Sequence, residues 1–316
     1  MRTARHIFAS LAALAAFAVP VRAQEALRDS LKSSVAAQEK VDIITPHITD
    51  AHHIEYPCLS KIACELDLPR WAPVHIGKYA VDLSPTKLVV MLLTSAFLCL
   101  LVMLIAARGA KKQRDADGHV KGFAGATQAV VLYVRNEVVI PNVGPHGEGF
   151  APFVLTLFFF ILFANMLGLI PFGATATGNI SVTATLAIIT FIVIEVASMI
   201  ALGKGYINTV VYWPHDMSVP MKSGMTLIMT PVELISHFTK PFALAIRLFA
   251  NMTAGHVVLL AFISLIFTFH SWALAPVPVL MGVAVSLLEV MVALVQAFIF
   301  ALLASVFIGL GRQAAH

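Results

Sequence analysis

The sequence is poor in charge. Asp, Glu, Lys and Arg make up 12% of its 316 residues, against about 25% in an ordinary soluble domain, whereas apolar residues make up 59%. This balance excludes a water-soluble enzyme and an intrinsically disordered chain. After position 135 there are too few basic residues for a surface that binds nucleic acid, despite a formal net charge of +4. The five that occur there are Lys204, Lys222, Lys240, Arg247 and Arg312.

Motifs for catalysis and for cofactor binding are also missing. No Gly-x-x-x-x-Gly-Lys-Ser/Thr loop occurs, so we expect this chain to bind no nucleotide and to catalyse no reaction by itself. The histidines of the N-terminal region are irregularly spaced, which favours a solvated surface over a metal site. They are His47, His52, His53 and His75. We therefore expect neither a metal ion nor a cofactor.

The chain holds three cysteines. Cys58 and Cys64 lie in a polar region and could form a disulfide in an oxidising compartment, but the sequence leaves this pairing open. Cys99 lies in an apolar run, where plain packing is the simpler interpretation.

Three segments divide the chain. Residues 1–23 begin with Arg2 and Arg5 and continue with the 13-residue apolar run Ile7–Val19, which is typical of a cleaved secretory signal peptide. A truncated first membrane helix is the alternative, but a span requires about 20 residues. Residues 24–84 are polar with scattered prolines, which predicts an extension on the translocated side of a membrane. Residues 85–316 hold the long apolar runs.

Four apolar runs predict five membrane spans. The 20 residues Leu88–Ala107 carry no charge, which matches a hydrocarbon core about 30 Å thick. The 46 residues Gly149–Ile194 also carry none, and a proline- and glycine-containing break at Pro171–Gly178 divides them into two antiparallel spans. Met225–Phe269 and Val277–Leu310 exceed the required length by half or more, so we expect them to tilt strongly or to extend into the interface.

Basic residues cluster directly after the first run, which marks its cytoplasmic end. The cluster is Arg108, Lys111, Lys112, Arg114 and Lys121. The mature N-terminus is then outside and the C-terminus inside. Phe123–Ile140 has a mixed face, which predicts an amphipathic helix in the cytoplasmic interface. The predicted fold is therefore an all-α integral membrane protein with about five transmembrane helices, one interfacial helix and an extramembrane extension.

Ionisable residues are expensive at bilayer depth, so each requires an explanation. On a helical wheel, four polar residues of the fourth span lie within about 40° of Glu233 and form one stripe. They are His237, Lys240, Arg247 and Asn251. Glu233, His237 and Lys240 lie nearest the cytoplasmic end and have a second interpretation, because they could snorkel to the interface. Asn251 and Gln296 taken alone also fit hydrogen bonds between helices, and His256 fits a structural histidine.

Arg247 differs from the other polar residues. It lies about 22 residues into its run, and its guanidinium can neither lose its proton nor snorkel to the interface. It therefore requires an anionic partner, which is Glu289 within the chain or a carboxylate of another subunit. Glu289 shares a helix face with Gln296 and lies within reach of His256 on the antiparallel neighbour. Titratable groups on both sides of one fixed arginine predict two proton paths separated by an electrostatic barrier.

Several segments resemble subunit a of F-type ATP synthases. Lys240–His256 is similar to the signature helix of that family, and Leu294–Phe300 is similar to its final-helix motif. The likeness runs from about Ser84 to the C-terminus and includes Asn165–Pro171 and Asn179–Thr183. Two separate motifs in the right order make the resemblance specific.

The resemblance implies a role for individual residues. Arg247 is similar to the essential arginine that faces the carboxylate of the rotating c-ring. His256 and Glu289 look like a swapped pairing, because in some relatives the glutamate and the histidine exchange places. The implied outer half-channel comprises Asn251, His256, Glu289 and Gln296, and the implied inner half-channel comprises Glu233 and Ser236, with His237 beside them on the stripe.

The resemblance also implies a function and a location. The chain would be the proton-translocating stator subunit of the Fo sector, coupling proton flow to ring rotation and ATP synthesis. Its partners would be the c-ring, subunit b of the peripheral stalk, the lipid bilayer and, indirectly, the soluble ATPase sector. It would lie in a bacterial inner membrane. The extension at residues 24–84 departs from compact members of the family.

Two other functions fit parts of the pattern. A secondary ion transporter with an intramembrane Arg, Glu and His relay would use broken helices and an internal repeat, and no repeat is visible. A haem-binding respiratory subunit would need paired histidines facing each other within the spans, and the sequence shows none there.

Overall fold

Within the part of the chain that it describes, the computed structural model has five helices long and apolar enough to cross a membrane. They confirm the predicted all-α fold class and the five spans. The described residues are 50–58, 61–71, 74–76, 79–82, 84–112, 120–145, 147–170, 175–207, 219–269 and 275–313. The segment predicted to be a signal peptide, residues 1–23, lies outside them.

The spans follow the predicted runs closely. They are α1 (Lys87–Lys112), α4 (Ala151–Gly168), α5 (Ile180–Leu202), α6 (Val219–Phe269) and α7 (Pro276–Gln313). Between α1 and α4 lie α2 (Gly122–Tyr133), a π-helical turn (Val134–Val139) and α3 (Ile140–Val143).

Local sequence explains where two of these helices begin. Pro152 lies in the first turn of α4. Backbone N–H groups there have no acceptor within the helix, so the N–H that proline lacks costs no helical hydrogen bond. Asn179 precedes α5, and its Oδ1 accepts a hydrogen bond from the backbone N–H of Ser181 at 2.8 Å. This is the usual way in which an asparagine caps a helix.

The N-terminal extension contains two short hairpins that the sequence analysis did not predict. β1 (His53–Cys58) pairs antiparallel with β2 (Lys61–Asp67), and β3 (Val74–Ile76) pairs with β4 (Tyr79–Val81). The register of the first pair shifts between Tyr56 and Cys58, around a proline that has no N–H to donate. The side chains of Cys58 and Cys64 lie outside the described residues, so the question of their pairing stays open.

The extension is joined to the start of α1 by hydrogen bonds from two backbone N–H groups of the helix. The N–H of Lys87 donates to the carbonyl of Ala51 at 2.8 Å, and the N–H of Leu88 donates to Oδ1 of Asp50 at 3.3 Å. The first N–H groups of a helix have no partner within the helix, and the positive end of its dipole favours a carboxylate. Residues 50–51 therefore cap α1 from outside it.

The segment predicted as one interfacial helix, Phe123–Ile140, is built from two different halves. In α2 most side chains are exposed, and Ala124 and Thr127 are the buried ones. The π-helical turn and α3 instead bury four valines in the core against α4 and α7. These are Val134, Val138, Val139 and Val143. The second half is thus part of the helical bundle.

Small residues on α7 allow the helices of the bundle to approach closely. Ala293, Ala297, Ala301 and Ala304 recur at three- or four-residue spacing and are all almost fully buried. Close packing of small residues is a main source of helix association in membranes. Near the end of α7, a Cβ on Gly309 would collide with the backbone carbonyl of Asn142, so only glycine fits there.

The last two helices are much longer than a membrane is thick. At a rise of 1.5 Å per residue, α6 measures roughly 77 Å and α7 roughly 57 Å, against a hydrocarbon core of about 30 Å. Pro231 and Pro241 lie inside α6. Each removes one backbone hydrogen bond from a helix, which permits it to bend. The lengths agree with the predicted strong tilt or extension beyond the core.

Candidate functional site

The two long helices run antiparallel, and three contacts fix their register. Lys240 of α6 lies beside Phe307 of α7, Asn251 lies beside Gln296, and Gly255 lies beside Glu289. The residue numbers rise along α6 as they fall along α7. This arrangement brings the polar residues of the two predicted motifs onto facing helix surfaces.

Asn251 and Gln296 join the two helices directly. Nδ2 of Asn251 donates a hydrogen bond to Oε1 of Gln296 over 3.0 Å. Gln296 is 2% exposed, so its amide is removed from the membrane lipid. A buried amide requires hydrogen-bond partners, and this pair supplies one to each side chain.

Glu289 packs against the backbone of α6. It is 6% exposed, and a Cβ added to Gly255 would lie 2.9 Å from Cγ and 3.1 Å from Cδ of Glu289. The absence of a side chain at Gly255 therefore makes room for the carboxyl group. The next residue along α6 is His256, which is half-buried. The contact between α6 and α7 thus places Glu289 beside the residue that precedes His256. We call Asn251, His256, Glu289 and Gln296 the outer group, after the half-channel predicted for them.

Arg247 lies on an exposed face of α6. The face of α6 that enters the core carries Leu244, Ala245, Leu248 and Met252, each at most 5% exposed. Among the described residues, Arg247 forms no ion pair, and Glu289 contacts α6 eight residues further on, about 12 Å by helix rise. Of the two anionic partners considered from the sequence, Glu289 is therefore not engaged.

A second polar group lies toward the other end of α6, where His237 lies between two carboxylates. Its Nε2 is 3.8 Å from Oε1 of Glu195 on α5, and its Nδ1 is 3.8 Å from Oε1 of Glu233. The side chains of His237 and Glu195 are each 13% exposed, and that of Glu233 is 43% exposed. Ser236 is half-buried beside them.

Tyr206 completes this group. Gly203 follows α5 with φ +53°, a conformation that favours glycine, and the turn Gly203–Tyr206 brings the tyrosine back toward α5. Its hydroxyl donates to Oε2 of Glu195. Burial, with the hydrogen bond and the charge of Glu195 added, raises the pKa of Tyr206 to about 12. The hydroxyl therefore keeps its proton at neutral pH and remains a donor. We call Glu195, Tyr206, Glu233 and His237 the inner group.

The polar stripe predicted on α6 divides between different neighbours. His237 faces α5, whereas Asn251 faces α7. Nζ of Lys240 lies 5.6 Å from the ring centroid of Phe307, a cation–π contact with α7. Arg247 is exposed. The residues of the stripe thus have different surroundings.

Two residues of the inner group were not among the predicted site residues. Glu195 carries a sequence signal, since it is the first charged residue after 46 uncharged ones. Its contact with His237, 42 positions away, depends on how α5 packs on α6 and cannot be derived from helical periodicity. Tyr206 carries no signal of its own. The structure adds both to the predicted Glu233 and His237.

The fold and the site define a class of protein. It is a multi-pass helical membrane protein in which the outer group and the inner group lie on either side of an exposed arginine along one helix. Comparison with known families makes this specific. The model of the ATP synthase A chain family matches residues 88–309. The chain belongs to this family, which confirms the resemblance seen in the α6 and α7 segments.

Individual relatives are similar to this chain over most of their length. ATP synthase subunit a of Chloroherpeton thalassium is 42% identical over 276 residues, covering 86% of this chain and 77% of that protein. The protein of the same name from Anaeromyxobacter dehalogenans is 42% identical over 276 residues, covering 85% and 70%. That from Pelodictyon phaeoclathratiforme is 40% identical over 311 residues, covering 93% and 86%.

Proposed function

We propose that this chain is the proton-translocating stator subunit of the membrane sector of an ATP synthase. It would provide two offset half-channels and hold Arg247 against the carboxylates of a rotating ring. The observation that carries this function is the position of Arg247, exposed on α6 and without an ion-pair partner among the described residues. A permanent cation at bilayer depth requires an anion, and a partner subunit can supply it.

The surface around Arg247 is suited to a neighbouring helix. Ala243, Ala250 and Ala254 are exposed and lie within about 60° of Arg247 on the helical wheel. Small side chains allow another helix to approach closely. A ring of helices that each carry one carboxyl group would therefore meet the guanidinium at short range.

The two polar groups support two separate half-channels. Along α6, His237 lies ten residues before Arg247 and Gly255 lies eight residues after it, which corresponds to about 15 Å and 12 Å. Between them, the inward face of α6 is apolar and buried at Leu244 and Leu248. An apolar stretch with a fixed positive charge blocks continuous proton flow.

This arrangement couples proton flow to rotation. A proton from outside passes by His256 and Glu289 and neutralises a ring carboxylate, which can then enter lipid. After nearly a full turn the carboxyl group reaches Arg247, whose charge favours the ionised form. The proton leaves by Glu233, Ser236 and His237. Each proton that crosses 100 mV supplies about 2.3 kcal/mol, so one ATP requires several.

The proposed setting follows from the same function. Residues 1–23 would be a cleaved signal peptide, residues 24–84 an extracytoplasmic extension, and residues 85–316 the transmembrane domain in a bacterial inner membrane. The N-terminus would lie outside and the C-terminus in the cytoplasm. The partners would be the c-ring, subunit b and, indirectly, the soluble ATPase sector, which carries out the chemistry while this chain is not itself catalytic.

Replacement of Arg247 tests the function. In vesicles that contain the whole complex, Arg247→Ala should abolish ATP-driven proton pumping, measured as acidification of the lumen. Arg135→Ala is the matched control, because Arg135 forms an exposed ion pair with Glu148 and should pump normally. Normal coupled pumping by Arg247→Ala would contradict the assignment, and so would proton transport by this chain without a ring subunit.

A further inference from the structure

Resting on the proposed function, we propose that Glu195 is a further proton-carrying residue of the inner path and that Tyr206 positions it. Neither residue belongs to the inner half-channel expected from the sequence. The contacts that carry the inference join three parts of the chain: α5, α6 and the turn Gly203–Tyr206.

The protonation of His237 follows from its backbone contact. Nδ1 of His237 lies 3.0 Å from the carbonyl oxygen of Glu233. A carbonyl oxygen can only accept, so Nδ1 carries the hydrogen in this contact and the neutral ring has its lone pair on Nε2. That nitrogen is the one that lies 3.8 Å from Oε1 of Glu195. The imidazole therefore presents its proton-accepting atom to Glu195.

The transfer step is balanced without any other reactant. A proton bound at Nε2 of His237 passes to Oε1 of Glu195, leaving a neutral imidazole and a neutral carboxyl group. Loss of the proton to water restores the carboxylate. The 3.8 Å separation exceeds a normal hydrogen bond by roughly 0.8 Å, so a small side-chain movement or one bridging water completes the contact.

Position and exposure make Glu195 a step that Glu233 cannot replace. Glu233 is 43% exposed and precedes His237 on the same helix, whereas Glu195 is 13% exposed and approaches from α5. Glu195 lies seven residues before the end of α5, about 10 Å by helix rise, and contacts the turn that follows. It therefore connects the buried imidazole to the turn at the end of α5.

Tyr206 holds the carboxylate in the orientation that this transfer requires. Its hydroxyl occupies Oε2 of Glu195, so Oε1 is the oxygen left to face His237. Because Tyr206 keeps its proton at neutral pH, it donates to Glu195 and does not compete for the transferred proton.

The test compares carboxylates in the assembled complex. Glu195→Gln keeps the shape of the side chain and an oxygen for Tyr206, but it cannot carry a proton. We expect the rate of ATP-driven acidification per assembled complex to fall roughly tenfold or more, since a positioned proton-transfer group contributes about 10²- to 10⁴-fold. Glu148→Gln, which alters an exposed carboxylate paired with Arg135, should leave the rate unchanged.

The outcomes separate this inference from the function itself. If Glu195→Gln pumps at the rate of the parent while Arg247→Ala does not pump, the relay is wrong and the function stands. If Glu195→Gln does not accumulate in the membrane, Glu195→Asp replaces it. That variant withdraws the carboxyl group from His237 by one methylene, so a reduced rate supports the relay and an unchanged rate overturns it.

The role of Tyr206 has its own test. Tyr206→Phe should lower the rate several-fold in the parent and should have no further effect in Glu195→Gln, because its action passes through that carboxylate. A merely structural role would give the same loss in both backgrounds, which a double-mutant cycle distinguishes. Equal losses would overturn the assignment of Tyr206 as a positioning residue.

Discussion

The outer and inner groups are built differently, although both lie along α6. The outer group lies between α6 and α7, and its members Glu289 and Gln296 are 6% and 2% exposed. The inner group lies between α5 and α6, and its two carboxylates each lie 3.8 Å from a ring nitrogen of His237. The outer group is close-packed at Glu289 and Gln296, although Asn251 is exposed, whereas the inner group is looser and partly open at Glu233.

This difference suggests a division of tasks. In the proposed function, the outer group must deliver a proton to one ring carboxylate at a time, which a tightly packed site does well. The inner group must let protons escape to bulk water, which suits an exposed carboxylate at one end. Substitutions that change packing should therefore affect the outer group more than the inner group.

The largest expected effect is at Gly255. Gly255→Ala places a Cβ against the carboxyl end of Glu289, which must shift from its position beside α6. Because a displacement of about 1 Å can cost up to 10²-fold, we expect proton pumping in vesicles to fall roughly tenfold or more.

Gly282→Ala on α7 is the matched control, because nothing lies within 4 Å of the added Cβ. It should pump like the parent. If Gly255→Ala and Gly282→Ala behave alike, close packing at Glu289 does not matter for the outer group, and the contrast with the inner group fails.

A smaller effect is expected at the amide pair. Asn251 and Gln296 should be coupled in a double-mutant cycle with alanine, by about 0.6 kcal/mol of unfolding free energy in detergent, the average for polar pairs between membrane helices. Asn251 and Thr185 provide the comparison, since the hydroxyl of Thr185 donates within α5 to Ser181. Their coupling should be near zero. Equal couplings for the two cycles would show that the amides do not hold α6 against α7.

The sequence was informative where one helix decides the outcome. Hydropathy predicted all five spans, because length and apolarity suffice for that. The family resemblance implied that polar residues of α6 and α7 lie close together. The contacts of Asn251 with Gln296 and of Gly255 with Glu289 agree with this.

The remainder depended on tertiary packing. The contact between His237 and Glu195 joins residues 42 positions apart, so it depends on how α5 packs on α6. The π-helical turn at Val134–Val139 lies where valines enter the core. The sequence of this segment by itself predicts a continuous α-helix, so it does not indicate the turn. The hairpins of the extension are different. Apolar residues alternate along β1 (Ile54, Tyr56, Cys58) and along β2 (Ile62, Cys64, Leu66), so a search for period-two alternation would have indicated these strands.

The central claim is that the exposed face around Arg247 meets a ring of carboxylate-bearing helices, and photo-crosslinking measures this most directly. A photo-crosslinking amino acid in place of Ala250 should capture the ring subunit in membranes that contain the whole complex. The same amino acid in place of Leu93, which is 66% exposed on α1, should not. Capture of the ring subunit from Leu93, or no capture from Ala250 in a complex that pumps protons, would contradict the account.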